Sequence, residues 1–237
     1  MRLRLLLFSA ILLLVSAASI SSSSAIPSVI PSPTSSVSYT ATLLVPANAY
    51  SSPGKGTVVA HLSTHALIYH GANTLLVLGS AEVGGNQYLK LRLDQRPNTS
   101  AGWVNINDLY VQADPYRLVV SISSRSLAVY KNGRLYARTR AVVGAVTTPT
   151  PLGLFAISED VPQPAGSDLG SYVATLTAHS NFLKTFDGGD GNVGIHGYEL
   201  LGAPLGTRSS HGCIRVPESF VRLVIGLPEG TPVVVQS

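Results

Sequence analysis

The chain has 237 residues, of which 45% are hydrophobic, 12% charged and 7% aromatic. That balance excludes a disordered chain and a long coiled coil, and a single long apolar run, at the N-terminus, excludes a polytopic membrane protein. The formal net charge is +4, but Arg2 and Arg4 lie in the first 38 residues; beyond them 14 basic residues face 12 acidic ones without a basic run, which is no nucleic-acid footprint.

Residues 1–25 read as a secretory signal. Arg2 and Arg4 form the positive start, residues 5–15 the apolar stretch, and Ala17, Ala18, Ser24 and Ala25 the small residues near a cleavage site. Retention as a membrane tether is the alternative, because Ile20 extends the apolar run. Cleavage implies an exported protein on the outer side of the membrane. Residues 26–38 are rich in Ser and carry Pro27, Pro31 and Pro33, the composition of a flexible, partly extended linker.

Residues 39–114 predict a small all-β module. Apolar stretches at 57–62, 66–69, 74–78 and 88–93 are separated by turn residues. The run from Tyr88 to Leu93 alternates with period two, as a half-buried strand does. Gly102, Trp103, Val104 and Asn105 follow, then a short closing strand at Asp108 and Leu109. This pattern resembles bacterial SH3-like domains. That resemblance implies either a module binding cell-wall peptides or a spacer, and Trp103 suits a core as well as a ligand platform.

Asp114-Pro115 marks a junction, and residues 115–237 form a second, mostly β domain. Strands are expected at 117–122 and 126–130, joined by an Asn132-Gly133 hairpin turn to a returning strand over 134–143. Further strands are expected at 154–157, 173–176, 194–196 and 231–235. One helix is expected over 217–225, with Pro217 at its start, Phe220, Val221, Val224 and Ile225 on one face, and Gly226 and Pro228 ending it.

Cys213 is the only cysteine, in a chain that reads as exported, where cysteines usually pair. It is either an inert small hydrophobe, half of an intermolecular bridge, or a nucleophile. His211 lies two residues upstream. His196 ends an apolar strand in Gly194-Ile195-His196-Gly197, and thirteen residues separate it from Ser210-His211-Gly212-Cys213-Ile214-Arg215. An imidazole can take the thiol proton, and Gly212 permits a tight turn whose N–H groups face a developing oxyanion. A zinc site on His196, His211 and Cys213 lacks the usual ligand spacing. Asp187 and Asp190 read as turn formers, since the full ligand series of a calcium loop is missing. His179 either lines the cleft or is a hydrogen-bonded structural histidine. His61, His65 and His70 read as structural, and Tyr172 and Tyr198 either flank a groove or pack.

The His-Gly and Ser-His-Gly-Cys-Ile-Arg segments resemble the signature of L,D-transpeptidase catalytic domains. Leu127-Ala128-Val129-Tyr130 before Asn132-Gly133, and Val143-Gly144 before Thr148-Pro149-Thr150-Pro151-Leu152-Gly153-Leu154-Phe155, resemble other blocks of that family. The resemblance implies that Cys213 is the nucleophile and His196 its base, oriented by the Gly197 carbonyl. It implies that Ser210, His211 and Gly212 shape the thiol pocket and oxyanion hole. Arg215 stands where many members carry Asn, and a guanidinium there suits a substrate carboxylate.

The expected fold is therefore mainly β: a small SH3-like barrel, then an L,D-transpeptidase-type β-sandwich with few helices. The expected partner is the peptidoglycan stem peptide, cross-linked in cell wall biogenesis with release of D-Ala, without metal or cofactor. The alternatives are an L,D-carboxypeptidase, a non-catalytic wall-binding protein and a general cysteine peptidase.

Overall fold

The computed structural model describes residues 26–185 and 189–237. The expected signal at 1–25 and Asp187 lie outside the described residues. The fold is mainly β, with one α-helix among the described residues. No helix there is long and apolar enough to cross a membrane.

The first part is a sheet of β1 (Ser38–Leu43), β2 (Ala47–Ser52), β3 (Lys55–Leu62), β4 (Thr74–Val83), β5 (Asn86–Arg92), β6 (Ala101–Asn105) and β7 (Leu109–Asp114). Their order is β3-β2-β6-β5-β4-β1-β7, with every pairing antiparallel. The period-two run on β5 sends Leu89 and Leu91 into the core with Val77 and Val104, while Lys90 faces solvent. Each such leucine contributes about 1.5–3 kcal/mol by leaving water. Trp103 is half-buried and stands outside this core.

Two expectations for this part need correction. Residues 66–69 form a loop, with Leu67 and Tyr69 largely exposed. Its backbone finds no ladder; the N–H groups of Ile68 and Tyr69 instead donate to the Glu159 carboxylate of the second part. The Ser/Pro stretch does not hang free. Ile30 is buried in the core, its N–H donates to Ser80 Oγ (2.8 Å), and Ser32 Oγ donates to the Leu78 carbonyl (2.8 Å). β1 pairs β4 only along 74–76, so the edge at 78–80 stays open and residues 30–32 cover it.

The second part is an eight-stranded mixed sheet. It contains β8 (Tyr116–Ser121), β9 (Ser126–Lys131), β10 (Arg134–Arg140), β12 (Gly153–Pro162), β13 (Tyr172–His179), β14 (Asn192–Gly197), β16 (Ile214–Val216) and β17 (Pro232–Gln236). The order is β10-β9-β8-β17-β12-β13-β14-β16, parallel at β8/β17 and β14/β16. β11 (Val143–Gly144) and β15 (Arg208–Ser210) form a separate parallel pair. The β9–β10 turn has φ of 51° at Asn132 and 75° at Gly133, the left-handed pair that a two-residue hairpin requires.

The expected strand over 134–143 breaks after Arg140. Ala141, Val142 and Val143 are all fully buried, and three consecutive inward residues cannot lie on a strand that faces solvent on one side. Helix α1 (Glu218–Val224) matches expectation, with Pro217 at its N-cap and Phe220, Val221 and Val224 buried. It packs on β13 and β14, and one continuous core runs from Leu118 through Phe155, Leu176 and Ile195 to Val233.

Candidate active site

The parallel pairing of β14 with β16 decides the geometry. It sets Ile195 opposite Ile214 and His196 opposite Arg215. Ile195 and Ile214 are fully buried in the core. The strand pleat therefore turns Gly194, His196 and Arg215 to the other face, where Cys213 also lies. The Gly194 N–H donates to Cys213 Sγ at 3.4 Å. Cys213 as a whole residue is partly exposed.

His196 is 3% exposed, and its Nδ1 lies 2.8 Å from the Gly197 carbonyl oxygen. A carbonyl only accepts, so the proton sits on Nδ1 and Nε2 keeps its lone pair. Burial lowers the imidazole pKa to about 4; the Gly197 bond opposes that and the Arg215 charge adds to it. The ring is thus neutral at pH 7. Burial also pushes the Cys213 thiol up, against the pull of the Gly194 N–H and the Arg215 guanidinium. At rest the thiol keeps its proton and the imidazole is neutral, so neither group is charged.

The turn carrying Cys213 is stitched by hydroxyls. Ser210 is fully buried; its Oγ donates to the Cys213 carbonyl (2.6 Å) and accepts the Gly212 N–H (3.2 Å). Gly212 was expected to offer that N–H to an oxyanion, and here it is taken. Its φ is +122°, while a Cβ there would meet nothing nearer than 3.9 Å. Backbone conformation rather than space demands the glycine. His211 is exposed. Arg215 is half-buried, with a buried Nε that lacks a hydrogen-bond partner among the described residues.

A profile of the YkuD family, described as the L,D-transpeptidase catalytic domain, matches residues 115–235. The chain belongs to the L,D-transpeptidase catalytic domain family. The YkuD protein of Bacillus licheniformis is 33% identical over 120 residues, which are 50% of this chain and 64% of that protein. The YkuD protein of Bacillus subtilis is 30% identical over 122 residues, 51% of this chain and 66% of that protein. The match thus spans a little under two thirds of either relative. Among solved structures, the catalytic domain of an Enterococcus faecium L,D-transpeptidase is 26% identical, covering 52% of this chain and 97% of that chain with a TM-score of 0.40. An L,D-transpeptidase from Mycobacterium smegmatis is 15% identical, covering 66% and 80%, with a TM-score of 0.42.

Within this L,D-transpeptidase domain, two threonines support the turn in ways the sequence did not announce. Thr148 Oγ1 donates to the Ser210 carbonyl (3.0 Å). Thr150 Oγ1 donates to the Gly212 carbonyl (2.8 Å) and accepts the Gly144 N–H (2.9 Å). Their signal was the Thr-Pro-Thr-Pro run: prolines supply no N–H, so hydroxyls do the donating. Thr150→Val keeps the shape and removes both bonds, leaving a buried N–H and carbonyl unpaired. It is expected to cost about 2–4 kcal/mol in urea unfolding, and Thr150→Ser far less. Equal stability of Thr150→Val and the unaltered chain would show that the bonds do not hold the turn.

The remaining candidates fall elsewhere. His179 is buried at the seam between the two parts rather than lining a cleft. His61 bonds Asn48 on the first sheet. No cluster of three or more His, Cys, Asp or Glu among the described residues is arranged to hold a metal.

Proposed function

We propose that the chain is an exported L,D-transpeptidase that cross-links peptidoglycan stem peptides through an acyl-enzyme on Cys213. Family membership supports the reaction class. The observation that carries the residue assignment is the β14/β16 pairing, which presents His196 and Cys213 on one face.

In this reading His196 Nε2 takes the Cys213 proton as sulfur attacks the carbonyl between the third stem residue and the terminal D-Ala. The carbon–nitrogen bond breaks, the imidazolium returns its proton to the leaving D-Ala amine, and a thioester remains. An amine of a second stem attacks that thioester; its proton passes to His196 and on to the departing sulfur. The Nδ1 bond to Gly197 holds the ring through both proton transfers. Arg215 lies beside the thiol and suits a substrate carboxylate.

The test is intact mass after incubation with a disaccharide-tetrapeptide donor. The expected result is a gain equal to the donor minus D-Ala. Neither adduct nor free D-Ala would overturn the reading and favour a wall-binding role. D-Ala release without cross-linked product when an amine acceptor is supplied would make water the acceptor.

A further inference from the structure

The loop between β5 and β6 belongs to the first sheet, yet its side chains are spent on the second part. Asp94 is only 10% exposed; it accepts hydrogen bonds from two groups across the seam and lies against a third. Ser158 Oγ on β12 donates to Oδ2 at 2.5 Å, and Asn192 Nδ2 at the start of β14 donates to Oδ1 at 2.9 Å. His179 Nε2, at the end of β13, lies 3.0 Å from the same Oδ1, off the line of a full hydrogen bond. Asn98 pairs with the His179 backbone in both directions, donating to its carbonyl (2.8 Å) and accepting its N–H (2.7 Å). Arg96 donates to the Ser180 carbonyl at 2.8 Å.

These contacts grip the two strand ends that border the thiol. Asn192, held by Asp94, is two residues before Gly194, whose N–H meets Cys213 Sγ. Ser180, held by Arg96, brings its Oγ within 4.0 Å of where a Cβ on Gly212 would stand. A carboxylate buried at a seam costs free energy unless it is fully partnered, and here every partner comes from the second part.

We propose that Asp94, with Asn98 and Arg96 beside it, is a positioning element that the first part supplies to the thiol site, setting the start of β14 so that the Gly194 N–H stays on the Cys213 sulfur. A second support is the character of His179, inside this clasp. Burial alone would lower its pKa, but the contacts with Asp94 and Asp190 outweigh that and raise it, favouring an imidazolium against the Asp94 carboxylate. The proposal rests on Cys213 being the reactive group; its test therefore includes a readout that needs no peptidoglycan chemistry.

The experiment uses the full chain with Asp94→Ala, Asp94→Asn and Asn98→Ala. Cys213 alkylation by iodoacetamide is followed by intact mass across pH, and donor turnover is measured in parallel. Loosening β14 weakens the N–H that stabilises the thiolate. Asp94→Ala is expected to move the alkylation profile up by about one pH unit and to lower kcat about tenfold with KM within about twofold, the size of one weakened charge-assisted hydrogen bond. Asp94→Asn and Asn98→Ala keep most of the seam and are expected to show smaller shifts in the same direction. Folded variants with a lower Tm but an unchanged alkylation profile and kcat would overturn the proposal and leave the clasp a structural seam. If Asp94→Ala does not fold, the same readouts on the two milder variants decide. Absence of turnover in the unaltered chain would sink the transpeptidase reading, while the alkylation shift would still test the positioning.

Discussion

Cys213→Ala is expected to remove acyl transfer while the chain stays folded. The substitution takes away one sulfur, which has the Gly194 N–H as its hydrogen-bond donor. The core residues Ile195, Ile214 and Val216 are untouched, so the stability loss is expected near about 1 kcal/mol. Turnover is another matter, since no other thiol exists in the sequence. A reaction that runs through a covalent intermediate loses its route when the nucleophile goes, and the fall is expected to be at least about a thousandfold. Donor turnover and intact mass check both halves. A variant that still forms the adduct, or turns over at the unaltered rate, would end the assignment.

His196→Gln is expected to lower the rate by about 10²–10⁴-fold, against less than about fivefold for His211→Gln. The contrast comes from position: His196 is buried, tied by Nδ1 to Gly197 and on the thiol's face, whereas His211 is exposed. Equal losses would leave the base unassigned to His196. The pH dependence follows from the lowered pKa. Neutral imidazole is the working form, so the rate is expected to hold through neutral pH and to fall on acidification only towards pH 4.

The same histidine sets a stability slope. Its folded pKa of about 4 lies below the unfolded value of about 6.5, so its contribution is complete above 6.5 and is lost as the pH falls through 4. Asp160 and Glu229 act oppositely: burial raises them to about 6 and 7, so their contribution is lost as the pH rises through those values. The difference between unfolding curves of the unaltered chain and His196→Gln isolates the histidine. The gap is expected to narrow as the pH drops from 6.5 to 4; a constant gap would contradict the buried neutral ring.

Much of the second part was legible in the sequence because its signals are local. Asn132-Gly133 demanded a left-handed turn, the apolar spacing from Phe220 to Val224 demanded a helix face, and the His-Gly and Ser-His-Gly-Cys segments singled out the site. β1 and β2 escaped notice, since Ser38–Leu43 and Ala47–Ser52 are weakly apolar; β1 is buried because β4 and β7 flank it. Residues 66–69 misled for the converse reason. They are apolar enough for a strand, but Glu159 takes the backbone N–H groups that a ladder would have used.

By itself, then, the sequence determined what depends on neighbours along the chain: turns, the helix, most strands, and which side chains have the chemistry of a nucleophile and a base. Only the tertiary structure decided what those side chains meet. The parallel β14/β16 pairing put Gly194 against Cys213, the depth of the core made His196 neutral and the thiol reluctant to ionise, and Ser210 claimed the Gly212 N–H. Asp94 reached His179 and Asn192 from far upstream in the chain. Hydrogen bonds and desolvation act over a few ångströms of space whatever the distance along the chain, so no local pattern could carry them.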